Sequence, residues 1–394
     1  VRSLRRKDQR ILLGQALPVA EAIIEHLRGN SSVRNLTPAG SVRRRMETVG
    51  GIDLIGASHN PQLAMEEFVR LPQVKEVLAK GPTKASVVVE GGLQIDLRLV
   101  EQEAYGSLLQ HFTGSKQHNI DLRERALKQG LSLSEYGITH IADGRLEKFT
   151  EEAPFYAAMG LQYIPPEIRE ASSELEAAAR QAIPRLVETG DIRGDLHTHT
   201  DWSDGRASLR DMMLAAKARG YEYIAISDHS VGRGVARGLS SDRLHRQREE
   251  IRELNRSIEG ITVLLGTEVD IRADGALDFP DEVLAELDVV TASVHSSMGQ
   301  DEETMTGRIL KAINNPHVDV IGHLTCRLLG HRPPVAMNIE KVFRAAAETG
   351  TALEINAQPE RLDLKDIHIR QAIEFGVMLV INSDAHSIGQ LNAM

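Results

Sequence analysis

The sequence predicts a multidomain protein in which a mixed α+β part precedes an α/β barrel of seven strands. Three observations carry this prediction. The 394 residues exceed what one hydrophobic core usually organises. Beyond residue 190, short β-branched runs alternate with amphipathic stretches, which is typical of repeated βα units and a parallel sheet. Ahead of them, the pair Gly91-Gly92 between two apolar runs predicts an antiparallel hairpin.

The composition excludes several classes of protein. The hydrophobic share of 41% is that of an ordinary globular protein. The single cysteine, Cys326, excludes a disulfide framework and fits a reducing compartment. No apolar run approaches the roughly 20 residues that a membrane span needs, and residues 1–10 lead into no apolar signal core. We therefore expect a cytoplasmic protein with neither a membrane span nor a secretory segment.

Charge is divided unevenly along the chain, which has a net charge of -10. Residues 1–150 hold 21 Lys and Arg against 17 Asp and Glu, whereas residues 151–394 hold 25 against 39. A basic front part could meet a polyanion, and an acidic back part could hold cations. Charge alone favours the simpler interpretation that both are solvated surfaces.

The first elements of the chain are a helix and a phosphate-binding candidate. Residues 15–29 carry apolar side chains at helical spacing and end on a glycine, which predicts a helix. Gly40 and Ser41 then precede three arginines at 43–45. Small residues let a phosphate approach the backbone, and guanidinium groups supply charge, so this turn is a candidate phosphate cradle.

Two acidic residues interrupt apolar strands further on. Residues 52–55 predict a short strand that contains Asp53, and residues 84–90 and 93–100 predict the two strands of the hairpin, the second of which contains Asp96. Taken alone, either aspartate is more simply explained as a residue of an edge strand.

Four segments, in this order, resemble the palm and thumb of the family X DNA polymerases: GSVRR, GGIDL, LQIDLR and HFTGSKQHNIDLRERALKQGLSLSEYGI. The resemblance covers residues 12–165 and implies a palm-like nucleotidyltransferase domain over 1–104 and a helical thumb-like domain over 105–163. In that family, three palm aspartates surround two Mg²⁺ or Mn²⁺ ions, which activate a primer 3′-hydroxyl and hold the triphosphate of the incoming nucleotide.

The resemblance implies roles for the matching positions of this chain. Asp53 and Asp96 match the second and third catalytic aspartates. The residues that it implies for nucleotide binding are Gly40, Ser41, Arg44 and Gly50 in the palm and His111, Phe112, Gly114 and Asn119 in the thumb.

Position 51 departs from the family pattern. The family reads Gly-Asp-x-Asp, whereas this chain has Gly50-Gly51-Ile52-Asp53, so a glycine replaces the first catalytic aspartate. Without it, the palm lacks the carboxylate that bridges both ions. We expect polymerase activity to be weak or absent.

A linker helix is predicted over residues 164–190. Pro165-Pro166 ends the preceding element, and an Ala- and Glu-rich helix of about three turns follows.

The last domain, 191–394, then begins with GDLHTHTDWSDG. Its strand candidates are 193–197, 223–229, 261–271, 288–295, 318–323, 351–356 and 377–386. Its helix candidates include 208–220, 241–260, 304–315 and 339–350.

Side chains that can bind metals recur where these strands end. The C-terminal ends of parallel barrel strands meet at one rim, so the side chains are expected to be neighbours. One histidine at a strand end is usually a hydrogen-bonded structural residue, but chance is a poor explanation for a His, Asp or Glu at six of seven strand ends. The polar residues at the rim are His197, His199, His229, Glu268, His295, His323, Asn356, Asp384 and His386.

This set resembles the PHP domain, the polymerase and histidinol phosphatase family, over residues 191–394. The resemblance implies nine metal ligands, which add Asp204 and leave Asn356 as a hydrogen-bonding residue. Mixed His and carboxylate sites suit Mn²⁺ or Zn²⁺, and up to three ions are implied. The implied groups are His197, His199, Glu268 and Asp384; Glu268, His295 and His323; and Asp204, His229 and His386, with Asp384 or His199 as a shared ligand.

Such ions supply the chemistry of phosphoester hydrolysis, because they lower the pKa of bound water and neutralise phosphate charge. We expect Cys326 to be buried and inert. The expected catalytic residues are His197, His199, Glu268 and Asp384 in the barrel and Asp53 and Asp96 in the palm. Candidates for gripping phosphate are Arg327, Arg332 and Arg361, for which solvation of the surface is an equal alternative.

The two resemblances together imply a DNA repair protein whose barrel is a metal-dependent 3′–5′ exonuclease or processes blocked 3′ ends. The expected partner is single-stranded, gapped or 3′-ended DNA, bound by a monomer close to the nucleoid, and deoxynucleotides are further ligands. Three alternatives stay open: an active gap-filling polymerase with an accessory barrel, a small-molecule phosphatase of the histidinol phosphatase type, and a DNA-binding scaffold with a structural metal site.

Overall fold

The computed structural model of the chain describes residues 10–29, 33–171, 173–232 and 234–394. They form two compact units, Val1–Leu186 and Val187–Met394, which are described separately below. Residues 1–9, which belong to the stretch expected to lack a signal segment, lie outside the described residues. Within the described ranges, no helix has both the length and the apolar character that crossing a bilayer requires.

The first unit is a mixed α+β structure. Its strands are β1 (Ile11–Leu12), β2 (Val33–Pro38), β3 (Thr48–Val49), β4 (Ile52–Ser58), β5 (Val74–Lys80), β6 (Lys84–Val89), β7 (Gln94–Val100), β8 (Leu131–Ser134), β9 (Gly137–His140) and β10 (Leu146–Glu147). Its helices are α1 (Leu13–Arg28), α2 (Gly40–Arg43), α3 (Pro61–Val69), α4 (Tyr105–Thr113), α5 (Lys116–Lys128), α6 (Glu152–Ala157) and α7 (Glu174–Ala179).

A five-stranded sheet in the order β2-β4-β7-β6-β5 organises this unit. The predicted hairpin is confirmed: β6 and β7 are antiparallel, and Gly91 and Gly92 between them have φ of 80° and 82°, which glycine adopts without strain. Strands β4 and β7 are parallel, and Asp53 is paired in register with Asp96. Both strands have neighbours on either side, so the edge-strand interpretation of the two aspartates is wrong.

Both faces of this sheet are buried. On one face, Leu27 of α1 and Phe68 of α3 pack in one cluster with Leu54 of β4. On the other, Leu108 of α4 packs in a second cluster with Ile55 of β4. Burying such a side chain contributes about 1.5–3 kcal/mol, and burial on both faces explains why the central strands read as nearly continuous apolar runs.

The predicted linker helix is much shorter than expected. Among its described residues, the α-helical part is Glu174–Ala179, and Leu175 and Ala178 are buried in the same cluster as Phe155. Gln181, at φ of 57°, turns the backbone out of the helical conformation. This segment therefore ends the core of the first unit, because its apolar face finds a partner there.

The second unit is a nearly closed barrel of seven parallel strands in sequence order, as predicted. The strands are β11 (Gly194–Thr198), β12 (Tyr223–Ile226), β13 (Thr262–Asp270), β14 (Val289–Ser293), β15 (Val320–Ile321), β16 (Ala352–Asn356) and β17 (Leu379–Asn382). The helices are α8 (Leu209–Ala218), α9 (Ser241–Ser257), α10 (Asp281–Leu284), α11 (Glu302–Ile313), α12 (Ile339–Thr349) and α13 (Asp366–Glu374). Thr198 bridges Ala385 in parallel, which joins the first strand to the residues after the last strand.

Cys326 lies in the core of the barrel unit, as expected, with 1% of its surface exposed. Burial raises the pKa of its thiol to about 12. Since the thiolate is the reactive form, we expect this thiol to be unreactive in the folded protein.

Labelling with Ellman's reagent at about pH 8 checks this expectation. We expect no reaction of the native protein and one thiol per chain after denaturation, because Cys326 is the sole cysteine of the sequence. Fast labelling under native conditions would contradict the buried position.

Candidate functional site

The barrel brings all nine predicted metal ligands to one end. They lie in the last residues of the strands or in the loops that continue them, and parallel strands in sequence order place these ends side by side. Two of the residues, His323 and Asp384, have positive φ of 26° and 51°, which is uncommon away from glycine. Such backbone is maintained where surrounding contacts fix it, and it is often found at functional sites.

Glu268, at the end of β13, is the centre of the cluster. Its Oε1 lies 3.1 Å from His295 Nε2 and 3.0 Å from His323 Nε2. Its Oε2 lies 2.9 Å from His229 Nδ1 and 3.5 Å from His197 Nε2. His199 Nε2 lies 3.6 Å from the same Oε2. One carboxylate thus faces five histidines, which is compatible with a carboxylate that bridges two ions.

Ligand atoms approach one another within 4.8 Å in three groups. The groups are His197, His199 and Asp384; His229, Glu268 and His295; and His199, Asp204, His229 and His386. They overlap the predicted groups, but His229 belongs to two of them, whereas the sequence assigned it to one. His323 comes to the cluster through Glu268.

The electrostatics of the cluster favour positive charge at its centre. Burial opposes ionisation of Glu268, but the histidines around it, His295 first, outweigh burial and lower its pKa well below the ordinary value. Burial similarly disfavours a charged His197, yet Glu354, Asp384 and Glu268 raise its pKa well above the ordinary value. Burial, together with neighbouring histidines, lowers the pKa of His199 to about 3. A neutral imidazole is the form that binds a metal.

A divalent ion fits these residues. Among the described residues, several buried ring nitrogens have no hydrogen-bond partner, although buried polar atoms normally have one. These atoms are His197 Nε2, both ring nitrogens of His199, His229 Nδ1 and His323 Nδ1. Nitrogen lone pairs beside ionised carboxylates, about 3 Å apart, form a donor set for ions that bind their ligands near 2.1 Å.

The cluster is open to solvent on one side. The side chains of Asp204 and His386 are 33% and 32% exposed, whereas those of His197 and His199 are fully buried. The His386 ring stacks on His199, with 4.1 Å between ring centroids. A substrate can therefore approach the cluster from the side of Asp204 and His386.

The three candidate phosphate-binding arginines differ in position. Arg361 Nε lies 3.6 Å from Asp384 Oδ2, and its buried Nη1 has no hydrogen-bond partner among the described residues. Arg327 is buried, and its guanidinium donates to the carbonyls of Arg361 and Leu362. The Nε of Arg332 donates to the Cys326 carbonyl at 2.8 Å. Only Arg361 is described against a ligand carboxylate, and Arg327 supports the backbone of that arginine.

Sequence reasoning missed a set of buried carboxylates behind the ligands. Glu354 Oε1 lies 2.7 Å from His197 Nδ1, and Asp270 Oδ1 lies 2.6 Å from His295 Nδ1. A second pair holds the loops: Asp195 accepts from the backbone of Ser383 at 3.2 Å, and Asp228 accepts from the backbone of Thr200 at 2.7 Å. The available signal was a carboxylate within the apolar strand runs, as in ALEIN and TEVD.

In the first unit, the two matching palm aspartates lie together. Burial and the adjacent Asp96 raise the pKa of Asp53, while Arg98, Lys84 and Arg44 oppose this rise. Gly40, at φ of 55°, passes so close to Asp53 that a Cβ there would lie 2.6 Å from Oδ2. The missing side chain at position 40 thus leaves room for the Asp53 carboxylate, and phosphate binding by this turn stays a prediction. Ser41 follows in α2, and Gly50 is exposed between β3 and β4.

The predicted thumb residues lie against the palm residues. The Arg98 guanidinium is 4.3 Å from the centre of the Phe112 ring. Asn119 Nδ2 donates to the His111 carbonyl at 2.8 Å, and a Cβ on Gly114 would lie 3.3 Å from Arg44 Nη1.

The palm arginines make internal contacts that the sequence did not indicate. Arg44 donates to Glu170 Oε1 and to the Thr113 carbonyl, each at 2.5 Å. Arg43 pairs with the buried Glu152, which also binds Arg169 at 2.6 Å.

Comparison with known families finds two matches. The DNA polymerase beta thumb matches residues 108–170, and the PHP domain matches residues 195–358. The chain is 44% identical over 391 residues to the DNA polymerase/3′-5′ exonuclease PolX of Bacillus subtilis (strain 168), covering 99% of this chain and 68% of that protein.

Other relatives match about half of the chain. A probable phosphatase of Thermoanaerobacter sp. (strain X514) is 34% identical over 204 residues, which is 49% of this chain and 78% of that protein. A probable phosphatase of Shewanella sp. (strain MR-4) is 32% identical over 202 residues, which is 49% of this chain and 75% of that protein.

Adding Mn²⁺ to the metal-stripped protein is expected to stabilise the barrel unit, because an ion that binds only the folded cluster shifts the folding equilibrium. At one hundred times its dissociation constant, an ion contributes about 2.7 kcal/mol. Differential scanning calorimetry with and without Mn²⁺ measures the effect, and His199→Ala should remove most of it.

The matched control is His245→Ala, since His245 is an exposed histidine of α9 that contacts Ser241 and Glu286 and belongs to none of the ligand groups. It should keep the stabilisation by Mn²⁺. Equal stabilisation of the wild type and the His199 variant would show that the ion binds elsewhere.

Proposed function

Because this chain belongs to the bacterial family X DNA polymerases that carry a PHP domain, we propose that its barrel is a metal-dependent 3′–5′ exonuclease or 3′-end processing activity acting in DNA repair. The observation that carries the proposal is the rim cluster, in which one buried glutamate faces five histidines beside a solvent-open side. Such a donor set serves phosphoester hydrolysis, and the relative from Bacillus subtilis, by its name, combines a DNA polymerase with a 3′-5′ exonuclease.

The barrel residues divide the work among them. Bound ions supply positive charge and an activated water to the phosphodiester. Glu268 and Asp384 remain ionised, and neutral His199 keeps its lone pair for binding. Arg361, whose Nη1 has no hydrogen-bond partner in the described part of the chain, grips a non-bridging phosphate oxygen, since a guanidinium binds phosphate oxygens with directed N–H groups. Mn²⁺ or Zn²⁺ fits the mixed donor set.

The palm and thumb hold the DNA. Sequence-independent contacts from Lys and Arg to phosphates position a nucleic acid without reading its sequence, and such binding weakens as salt increases. Deoxynucleotides and Mg²⁺ or Mn²⁺ are the ligands proposed for the palm, where Asp53 and Asp96 would hold the ions. A DNA substrate places the working protein in the cytoplasm, beside the nucleoid.

Two alternative functions have specific support. The relatives that match about half of this chain are named probable phosphatases, which favours hydrolysis of small phosphomonoesters. The retained Asp53 and Asp96 pair favours gap filling. The first leaves the thumb match unexplained, and the second has to proceed without a carboxylate at position 51.

Digestion of DNA labelled at the 5′ or the 3′ end tests the exonuclease directly. In the presence of Mn²⁺ or Zn²⁺, we expect a ladder of shortened products from 5′-labelled strands and early release of mononucleotide from 3′-labelled strands. EDTA, His199→Ala and His386→Ala should each abolish digestion, while His245→Ala should retain it. Faster hydrolysis of free phosphomonoesters than of oligonucleotides would favour the phosphatase.

Replacing Gly51 by aspartate tests the palm. Alternation along the extended chain puts position 51 on the same side as Asp53, so the new carboxylate would complete the family pattern. We expect primer extension to rise at least roughly tenfold over wild type, the change that 1.4 kcal/mol of transition-state stabilisation produces.

The control for this substitution is Gly51→Ala, because a Cβ at position 51 already lies 3.2 Å from the Gln94 carbonyl. It measures the steric cost without the carboxylate. Robust extension by the wild type that depends on Asp96 would refute the expectation of a weak palm.

Replacing Arg361 by alanine is expected to lower kcat/KM for DNA roughly ten- to hundred-fold, because a hydrogen bond to a charged group is worth about 1.5–3 kcal/mol. Arg361→Lys should recover part of the loss, since lysine restores charge but not the fork of donors. The control is Arg370→Ala on the exposed face of α13. Wild-type kinetics in Arg361→Ala would remove this residue from the proposed phosphate contact.

A further inference from the structure

Two buried carboxylates outside the ligand set touch the ligand histidines on the side away from the cluster. Glu354, in β16, is fully buried, and its Oε1 lies 2.7 Å from His197 Nδ1. Asp270, at the end of β13, has an Oδ1 that lies 2.6 Å from His295 Nδ1. In both histidines, Nε2 is the nitrogen directed at Glu268, at 3.5 Å and 3.1 Å.

We propose that Glu354 and Asp270 are positioning residues that hold His197 and His295 as metal ligands. Each carboxylate keeps a proton on Nδ1, which leaves the lone pair of the ring on Nε2, toward the cluster. This inference rests on the proposed function only in assigning metal ions to the rim, and it concerns binding of the ions rather than cleavage of DNA.

The surroundings of Glu354 fix its orientation. Its Oε2 accepts from the backbone N–H of His323 at 2.7 Å and from Asn356 Nδ2 at 3.1 Å, while its Oε1 also accepts from Asn382 Nδ2 at 3.0 Å. Four donors converge on one carboxylate, so it cannot rotate without breaking several hydrogen bonds.

Asp270 is fixed by a second chain of contacts. Its backbone N–H donates to Ser230 Oγ and to Asp278 Oδ1, each at 3.0 Å, and Ser230 donates in turn to Asp278 at 2.6 Å. Ser230 directly follows His229 in the chain. The contact that orients His295 is thus tied to the loop that carries another ligand.

A contact of this kind fixes the orientation of the histidine ring that binds the metal. A carboxylate behind a ligand histidine sets its tautomer and strengthens its lone pair, and losing such a partner typically weakens metal binding roughly ten- to hundred-fold. Glu354 acts on the group containing His197 and Asp384, and Asp270 on the group containing Glu268 and His295. The two carboxylates therefore tune different ions.

Titration of metal-stripped protein with Mn²⁺ and with Zn²⁺, by calorimetry and by competition with a chelator, tests the proposal. Glu354→Gln and Asp270→Asn keep the shape of the side chain but place an amide where a full carboxylate stood. We expect each to weaken one class of ion roughly ten- to hundred-fold and to leave the remaining ions at wild-type affinity.

Asp363→Asn is the matched control. Asp363 is also a fully buried carboxylate of the barrel unit, and its side chain accepts from the backbone of Thr325 at 2.9 Å, with no ligand histidine as its partner. It should bind all ions as the wild type does. Equal weakening in the control would show that any damage to a buried carboxylate lowers affinity, and wild-type affinity in both test variants would overturn the proposal.

Nuclear magnetic resonance of Zn²⁺-loaded protein labelled with ¹⁵N at histidine supplies a readout that loss of stability does not change. Wild type should show protonated Nδ1 and zinc-bound Nε2 for His197 and His295, with deshielded Nδ1 protons. Asp270→Asn should lose that signature at His295 alone. Protonated Nε2 in the wild type would overturn the proposal even if Glu354→Gln does not fold.

Because these measurements contain no DNA, they separate this proposal from the exonuclease. Tight, carboxylate-dependent metal binding without digestion of 3′ ends would contradict the proposed function and leave the positioning roles intact.

Discussion

The buried carboxylate of Glu268 is the feature on which the barrel site depends. An ionised carboxylate without solvent is costly unless it is paired, and here histidines from the loops after four strands surround it. The strands must be parallel and in sequence order for those ends to meet. The histidines that stabilise the charge of Glu268 are therefore also the donor set for divalent ions. The fold is linked to the chemistry because it brings these histidines together.

Behind the ligands lies a ring of carboxylates that bind no ion in the proposed scheme. Asp195, Asp228 and Glu354 accept hydrogen bonds from the loops or rings of the ligand residues. These contacts fix the loops before any ion arrives, and a preorganised site avoids the cost of ordering them on binding. Among the described residues, several ring nitrogens of the ligand histidines consequently have no internal hydrogen-bond partner while the surrounding backbone stays in place.

The architecture of the first unit does not depend on a side chain at position 51. The five-stranded sheet is stabilised by apolar packing on both faces, to which position 51 contributes no side chain. The buried Glu152, between Arg43 and Arg169, adds an ion-pair network that is independent of Asp53 and Asp96. Apolar packing and this ion-pair network therefore maintain the unit without a carboxylate at position 51.

The sequence by itself predicted the order of elements, the hairpin at Gly91-Gly92 and the residues that cluster at the barrel rim, because local periodicity, turn chemistry and side-chain type depend on the chain alone. Prediction from the sequence was wrong or incomplete where long-range contacts decide the length of an element or the role of a side chain. The linker helix shortened to Glu174–Ala179 because its apolar face joined a core, Arg327 became a backbone support, and Glu354 proved to be a partner of His197. Only the tertiary structure could decide these three outcomes, because they depend on residues that are distant in the sequence. Glu354, for example, becomes a positioning residue through its contact with His197, 157 positions away.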